Sequence, residues 1–268
     1  MRDTEWCVIA GESGNAADLD VATDDVPQRH MSASSPLPAA VLFDMDGLLV
    51  ETEHLWYDAE VEVIDKLGGT WGPEQQAALV GGPLEKAVKA LIDASGGDHD
   101  HDEVMALLLV TMENQLRTQP VHWRPGAQRL LGALEDVGVP CALVSASWRN
   151  LVDAVHDAVL HEVGHDVFAT TVAGDEVEHT KPSPDPYLLA AARIGVPPAQ
   201  CVVLEDSHTG SRAGLASGAY VVAVPSLVDI APEPGLRVVR SLEELTPELL
   251  GEWSHLWSPR PPTALPRD

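Results

Sequence analysis

The chain has 268 residues and carries 16 Lys+Arg against 42 Asp+Glu, a formal net charge of −26, with 45% hydrophobic and 22% charged residues. This is the composition of a globular protein long enough to bury a sizeable core. So much negative charge excludes a nucleic-acid binder and a protein that docks on anionic membrane, since both need a basic face. An acidic ligand would require a local device that reverses the field.

Cys7, Cys141 and Cys201 are an odd set without CxxC spacing, so neither a disulfide framework nor a thiolate zinc site is indicated. The apolar stretch at residues 6–10 is short and flanked by acids, unlike a signal peptide. No apolar run approaches the roughly 20 residues of a membrane helix. A cytoplasmic protein is expected. The sequence carries no signature of oligomeric state.

Residues 1–37 hold seven acids against Arg2 and Arg29 and keep no helical or strand period, which predicts a disordered acidic leader. Met31, just ahead of a Ser/Pro stretch, is a candidate natural start. Residues 39–43 form a short apolar run that suits a strand covered on both faces. Leu55, Ala59, Val63 and Leu67 then repeat every four residues up to Gly68-Gly69, a helix and its stop. Residues 84–94 and 102–116 read as further helices, with no convincing strand between 73 and 119. Beyond them strand and helix alternate: helix 127–137, strand 141–144, helix 149–160, strand 169–173, helix 184–194, strand 201–204, helix 210–217, strand 220–224 and a short strand at 237–239.

Strands separated by helices predict an α/β fold, a Rossmann-like parallel sheet with helices on both faces. The all-helical stretch reads as an inserted helical cap at 57–122 between core segments 38–56 and 123–250. Residues 251–268, with Trp253, Trp257 and several prolines, form a tail without readable chemistry. In such a sheet the ligand crevice lies at the carboxyl ends of the strands, so the residues just beyond each strand decide function.

Beyond the first strand stands Asp44-Met45-Asp46-Gly47. Carboxylates at i and i+2 project to one side of an extended chain, and Gly47 permits a sharp exit, although Asp and Gly also suit an ordinary turn. Beyond the next core strand stands Ser145-Ala146-Ser147, a hydroxyl and free amides that can cradle phosphate or simply cap a helix. Lys181 follows the third strand in a Pro-rich loop, either as a positioned charge or as an exposed lysine. Glu205-Asp206 ends a buried strand. Two adjacent buried carboxylates call for a cation, and magnesium is the hard, oxygen-seeking choice.

FDMDG (43–47), SAS (145–147), KPSPDPY (181–187) and LEDSHTGSRAG (204–214), in this order, resemble the haloacid dehalogenase-like hydrolase superfamily, in particular its phosphatase and β-phosphoglucomutase-like members with a helical cap. The resemblance covers about residues 39–249. It implies Asp44 as the nucleophile that forms an aspartyl-phosphate and Asp46 as general acid and then base. It implies Mg2+ held by Asp44, the Asp46 carbonyl and Asp206, with Glu205 close by. Ser145, Ala146 and Lys181 would bind the phosphoryl group. The superfamily's dehalogenases lack the second aspartate, which disfavours carbon–halogen cleavage here. The cap would close over the site and read the substrate; Glu53, His54, Trp56, Trp123, Arg124 and Trp148 are the candidate contacts at its junction with the core. Two positions depart from relatives: residues 80–83 (VGGP) offer no basic side chain after the cap glycine, and Thr180 stands where a glycine usually precedes the lysine.

The expected activity is a magnesium-dependent phosphatase acting on a small phosphorylated metabolite such as a sugar phosphate. The alternative is a β-phosphoglucomutase-like isomerase, and a third reading is a non-catalytic phosphate-binding module.

Overall fold

The computed structural model describes residues 36–77, 79, 84–226 and 229–257. The acidic leader up to residue 35, Met31, Cys7, the cap loop at 80–83 and the proline-rich end of the tail lie outside the described residues.

Six parallel strands form one sheet, β1 (Ala40–Phe43), β2 (Cys141–Val144), β3 (Thr170–Val172), β4 (Cys201–Glu205), β5 (Tyr220–Ala223) and β6 (Leu236–Val238), in the spatial order β3-β2-β1-β4-β5-β6. The sheet is buried on both faces, which is why its inner strands read as unbroken apolar runs. Residues alternate between two separate cores as the pleat dictates. Val41, Phe43, Leu143, Val202 and Leu204 face one core; Ala40, Leu42, Ala142, Val144 and Val203 face the other.

The first core is completed by α5 (Ala127–Asp136), α6 (Arg149–Val163) and α9 (Pro247–His255), through residues such as Leu130, Leu134, Val152, Val155 and Leu250. The second is completed by α7 (Asp185–Ile194) and α8 (His208–Ser217), through Tyr187, Ala190, Ala191 and Ala213. Each fully buried Leu, Val or Phe contributes about 1.5–3 kcal/mol relative to its exposed state. Small residues on the second face let the helices approach closely. A Cβ on Gly214 of α8 would stand 2.9 Å from side-chain carbons of Val203 and Val221.

Between Val50 and Trp123 the described elements are all helical: α1 (Glu53–Leu67), α2 (Pro73–Ala77), α3 (Leu84–Ser95) and α4 (His101–Thr118). Their apolar faces pack together through Ala59, Val63, Val88, Leu91, Leu108 and Met112. Helix α1 ends where its sequence demands, at Gly68 in the left-handed region with φ 81°. The two connections to the sheet run side by side, Val50 pairing antiparallel with Trp123.

Helix α9 runs across residue 250, where the sequence reading ended the core and began a tail without readable chemistry. Thr246 caps it by accepting from the Leu249 amide, and Pro247 takes the first helical position. Trp253 stacks under the Arg237 guanidinium at 4.1 Å, and the chain passes so close to Pro36 that only a glycine fits at Gly251. No described helix is long and apolar enough to cross a membrane.

Candidate active site

The strand order turns around β1: the chain moves outward through β2 and β3, then returns to β4 on the opposite side. A crevice opens at the carboxyl end of a sheet at such a point. Asp44 leaves β1 there. Its amide donates to the Leu204 carbonyl at 3.0 Å, and the pairing of Phe43 with Leu204 sets Asp44 level with Glu205.

Lys181 arrives from the loop between β3 and α7 and is 8% exposed. Its ammonium donates to Asp44 Oδ1 at 2.5 Å, to Glu205 Oε1 at 2.7 Å and to the Val144 carbonyl at 2.9 Å. Three donors with three acceptors leave this buried cation fully satisfied. Burial works against its charge, but Asp44 and Glu205 outweigh burial and hold Lys181 protonated.

Glu205 is wholly buried and fully engaged. Oε1 also accepts from the Tyr187 hydroxyl at 2.6 Å, while Oε2 accepts from Ser207 Oγ at 3.0 Å and from the Asp206 amide at 3.2 Å. A Cβ on Gly210 would overlap this carboxylate, so the first turn of α8 closes over it. Tyr187 and Ser207 lie inside motifs that the sequence reading quoted, but their partnership with Glu205 is visible only in three dimensions.

Asp206 points to the same place from the end of β4. Ser226 Oγ donates to its Oδ2 at 2.7 Å, and Gly47, with φ 81°, leaves the space that this oxygen needs. Oxygens of Asp44, Glu205 and Asp206 lie within 4.8 Å of one another. Three carboxylates face one ammonium. Burial, with Glu205 and Asp206 added, pushes the Asp44 carboxyl well above its usual range despite Lys181; burial likewise pushes Asp206 up to about 6. A hard divalent cation would neutralise the surplus, and an all-oxygen donor set fits magnesium.

Asp46 is half-buried beside this cluster. Its Oδ1 accepts from Thr52 Oγ1 at 2.7 Å, and its Oδ2 from Ser147 Oγ at 3.0 Å and Ser145 Oγ at 3.4 Å. Thr52 was absent from the sequence-based candidates, and Ser147 was quoted there only as part of the phosphate loop, without its bond to Asp46. Ser145 is buried and also accepts from the Ser147 amide at 2.9 Å, whereas Ala146 at the tip of the loop is exposed. Gly174 braces this loop from below: its amide donates to the Ser147 carbonyl at 2.8 Å, and a Cβ there would strike the Ala146 carbonyl.

The expected cap-junction contacts divide. Burial, then Asp46 and other acids, pushes the half-buried Glu53 up to about 7, which places its carboxyl within the field of the site. His54 is exposed and lies against His122, with ring centroids 4.5 Å apart. Trp123 donates its indole N–H to Glu162 at 2.7 Å. Glu162 is about 20 Å along α6 from its start at the site loop, so this indole is spent on packing α6. Arg124 is paired with Glu51 at 2.8 Å, and Trp56 packs against the core.

The profile of one protein family, described as haloacid dehalogenase-like hydrolase, matches residues 41–224. A bifunctional riboflavin kinase/FMN phosphatase of Arabidopsis thaliana is 36% identical over 195 residues, covering 71% of this chain and 49% of that protein, so the chain spans about half of it. A fructose-1-phosphate phosphatase of Escherichia coli is 32% identical over 196 residues, covering 69% of this chain and 96% of that enzyme. Among solved structures, CbbY from Rhodobacter sphaeroides in complex with phosphate superposes with a TM-score of 0.66 at 28% identity, covering 78% of this chain and 96% of that one.

Proposed function

The chain belongs to the haloacid dehalogenase-like hydrolases; we propose that it is a phosphoric monoester hydrolase, a magnesium-dependent phosphatase of a small phosphorylated metabolite working through a phosphorylated Asp44. The observation that carries this reading is the Lys181 ammonium, which donates to Asp44 and to Glu205 together. A buried carboxylate held by a fixed cation, with a second aspartate two residues on, is equipped for covalent phosphoryl transfer.

Asp44 attacks phosphorus, the ester P–O bond breaks, and Asp46 delivers its proton to the departing alcohol oxygen. Asp46 then takes a proton from water, whose oxygen attacks phosphorus and releases Asp44 and inorganic phosphate. The Ser145 hydroxyl and Lys181, whose N–H to Asp44 passes to a phosphoryl oxygen once Asp44 is engaged in the reaction, hold the phosphoryl group through both steps. Magnesium, held by Asp44, Asp206 and the Asp46 carbonyl, would supply the positive charge that lets a carboxylate approach a phosphate dianion. Glu205, with its oxygens already engaged, serves this arrangement by fixing Lys181.

The test is release of inorganic phosphate from a panel of phosphomonoesters with magnesium present. Asp44→Asn should lower turnover by on the order of 10⁴-fold, and EDTA should abolish it. Hydrolysis by the variant at the parental rate would overturn the assignment, as would full activity in EDTA. Formation of glucose 6-phosphate from glucose 1-phosphate, in place of free phosphate, would make the enzyme a mutase.

A further inference from the structure

His54 and His122 lie against each other where the helical segment joins the sheet, with ring centroids 4.5 Å apart and ring planes at 48°. They belong to different connections. His54 stands in the first turn of α1, and His122 on the returning segment, where its carbonyl accepts from the Glu51 amide at 2.7 Å. Both residues are exposed. Elsewhere His101, His156, His165 and His179 face carboxylates. By contrast, neither imidazole of this pair has a hydrogen bond or ion pair to any described residue; each has only the other ring beside it.

Imidazole nitrogens are favoured ligands of zinc and its borderline neighbours. Two of them on one ion, each at about 2.0–2.1 Å, bring their ring centres to roughly 4.5–5 Å, and that spacing is already present. The tilt splays the rings instead of stacking them, so small rotations of two exposed side chains turn a nitrogen of each towards one ion. The oxygens of Asp44, Glu205 and Asp206 suit a hard ion, whereas two imidazoles suit a softer one, so the two places sort ions by ligand chemistry. The net charge of −26 draws cations to the surface in general.

An ion held by both residues ties the two connections together. A cleft of about 280 Å³ lies between these connections and α6, lined by Val50, Leu55, Leu116, Val121, Val155 and Ala158, so the connections are not packed solid and have room to shift. The first turn of α1 hangs on Thr52. Its carbonyl accepts from the Leu55 and Trp56 amides at 2.9 and 3.0 Å, and its hydroxyl donates to Asp46 at 2.7 Å. Fixing His54 therefore fixes the turn that positions the proton donor.

We propose that His54 and His122 form a second metal site, for a divalent transition ion of the zinc kind, and that its occupation pins the two connections and slows turnover. The site stands on the two imidazoles alone; its effect on turnover rests on the phosphatase reading.

The first probe is Zn2+ titrated calorimetrically into the full chain in saturating magnesium. Zn2+ should bind at a site that His54→Ala and His122→Ala each weaken by about tenfold or more, while His99→Ala, in the loop between α3 and α4, should leave it intact. The second readout is phosphate release. Zn2+ should lower kcat of the parent, and raising magnesium should not restore it. His122→Ala should keep parental turnover in magnesium alone and resist Zn2+. A zinc isotherm unchanged in both variants, or lost in His99→Ala, would overturn the site. Inhibition that magnesium relieves, or that persists in His122→Ala, would put zinc at the catalytic carboxylates and overturn the regulatory role. Zinc binding that needs both histidines in a protein that releases no phosphate would instead overturn the phosphatase reading and leave the metal site standing.

Discussion

The Tyr187 hydroxyl lies 2.6 Å from Glu205 Oε1, the same oxygen that receives the Lys181 ammonium at 2.7 Å. The aromatic ring also lies beneath that ammonium, 4.8 Å from Nζ to its centroid. Burial, reinforced by Glu205, drives the Tyr187 pKa far upward, so the hydroxyl stays a donor at any working pH. Tyr187→Phe removes one bond to a buried charge and should cost about 1.5–3 kcal/mol of stability. With Glu205 less restrained, Lys181 is held less firmly, and kcat should fall about tenfold. Urea unfolding together with steady-state kinetics checks both; a variant with parental stability would show that Glu205 does not rely on this bond.

Gly47 carries a different constraint. Its φ of 81° is costly for any side chain, and a Cβ there would stand 2.2 Å from Asp206 Oδ2. Gly47→Ala should lose about 1–2 kcal/mol from the left-handed backbone alone. It should also displace Asp206 and weaken magnesium binding by roughly tenfold or more, since ligand placement sets affinity. Magnesium titration by calorimetry reads the second effect separately, and parental affinity would contradict the placement of Asp206 at the metal.

These two relationships mark what was legible in the sequence. Strand β2 could be read residue for residue because its apolar run ends at a loop-forming Ser, and Asp44 could be found because it follows such a run. The unbroken apolar runs of β1 and β4 forecast a sheet buried on both faces. Thr52, Ser147, Tyr187 and Ser226 were out of reach because each acts on a carboxylate far from it in sequence or across a turn, and only strand register brings them together. Helix α9 escaped for a local reason: Gly251 and the prolines beyond it look like a loop, whereas Gly251 is there for close approach to Pro36. Trp123 is the reverse case: an aromatic at a cap junction suggests a substrate contact, and only the structure sets its indole N–H on Glu162.

Magnesium binding should depend on pH through Asp206. Burial pushes this carboxyl up to about 6 from its ordinary 3.8, and Glu205 adds to the shift against the bond from Ser226. A ligand must lose its proton to bind metal, so apparent affinity should fall about tenfold per pH unit below that value. Without metal, the raised pKa contributes stability below the unfolded value, and that contribution is lost as pH rises through about 6. Added magnesium should therefore raise the melting temperature more at about pH 7.5 than at about pH 5. Equal shifts at both pH values would show that Asp206 does not bind the ion.

Glu176 should make the fold sensitive to acid in the opposite direction. It joins three elements: Oε2 accepts from Arg149 of α6 and from the Ala173 amide at 2.8 Å, and Oε1 accepts from Arg193 of α7 at 2.9 Å. Burial alone would raise its pKa, but the bonds from Arg193, the Ala173 amide and Arg149 outweigh it and pull the value down to about 2 from 4.5. A depressed carboxyl stabilises the fold above its unfolded value, and the contribution fades as pH falls from about 4.5 towards 2. Because Glu176 is partly exposed, solvent screening limits the effect to about 1 kcal/mol. Glu176→Gln should accordingly lower stability by that amount at neutral pH and by progressively less as the acid limb is approached. The two unfolding curves, followed by circular dichroism from neutral pH downward, should converge; a constant gap between them would assign the loss to packing instead of charge.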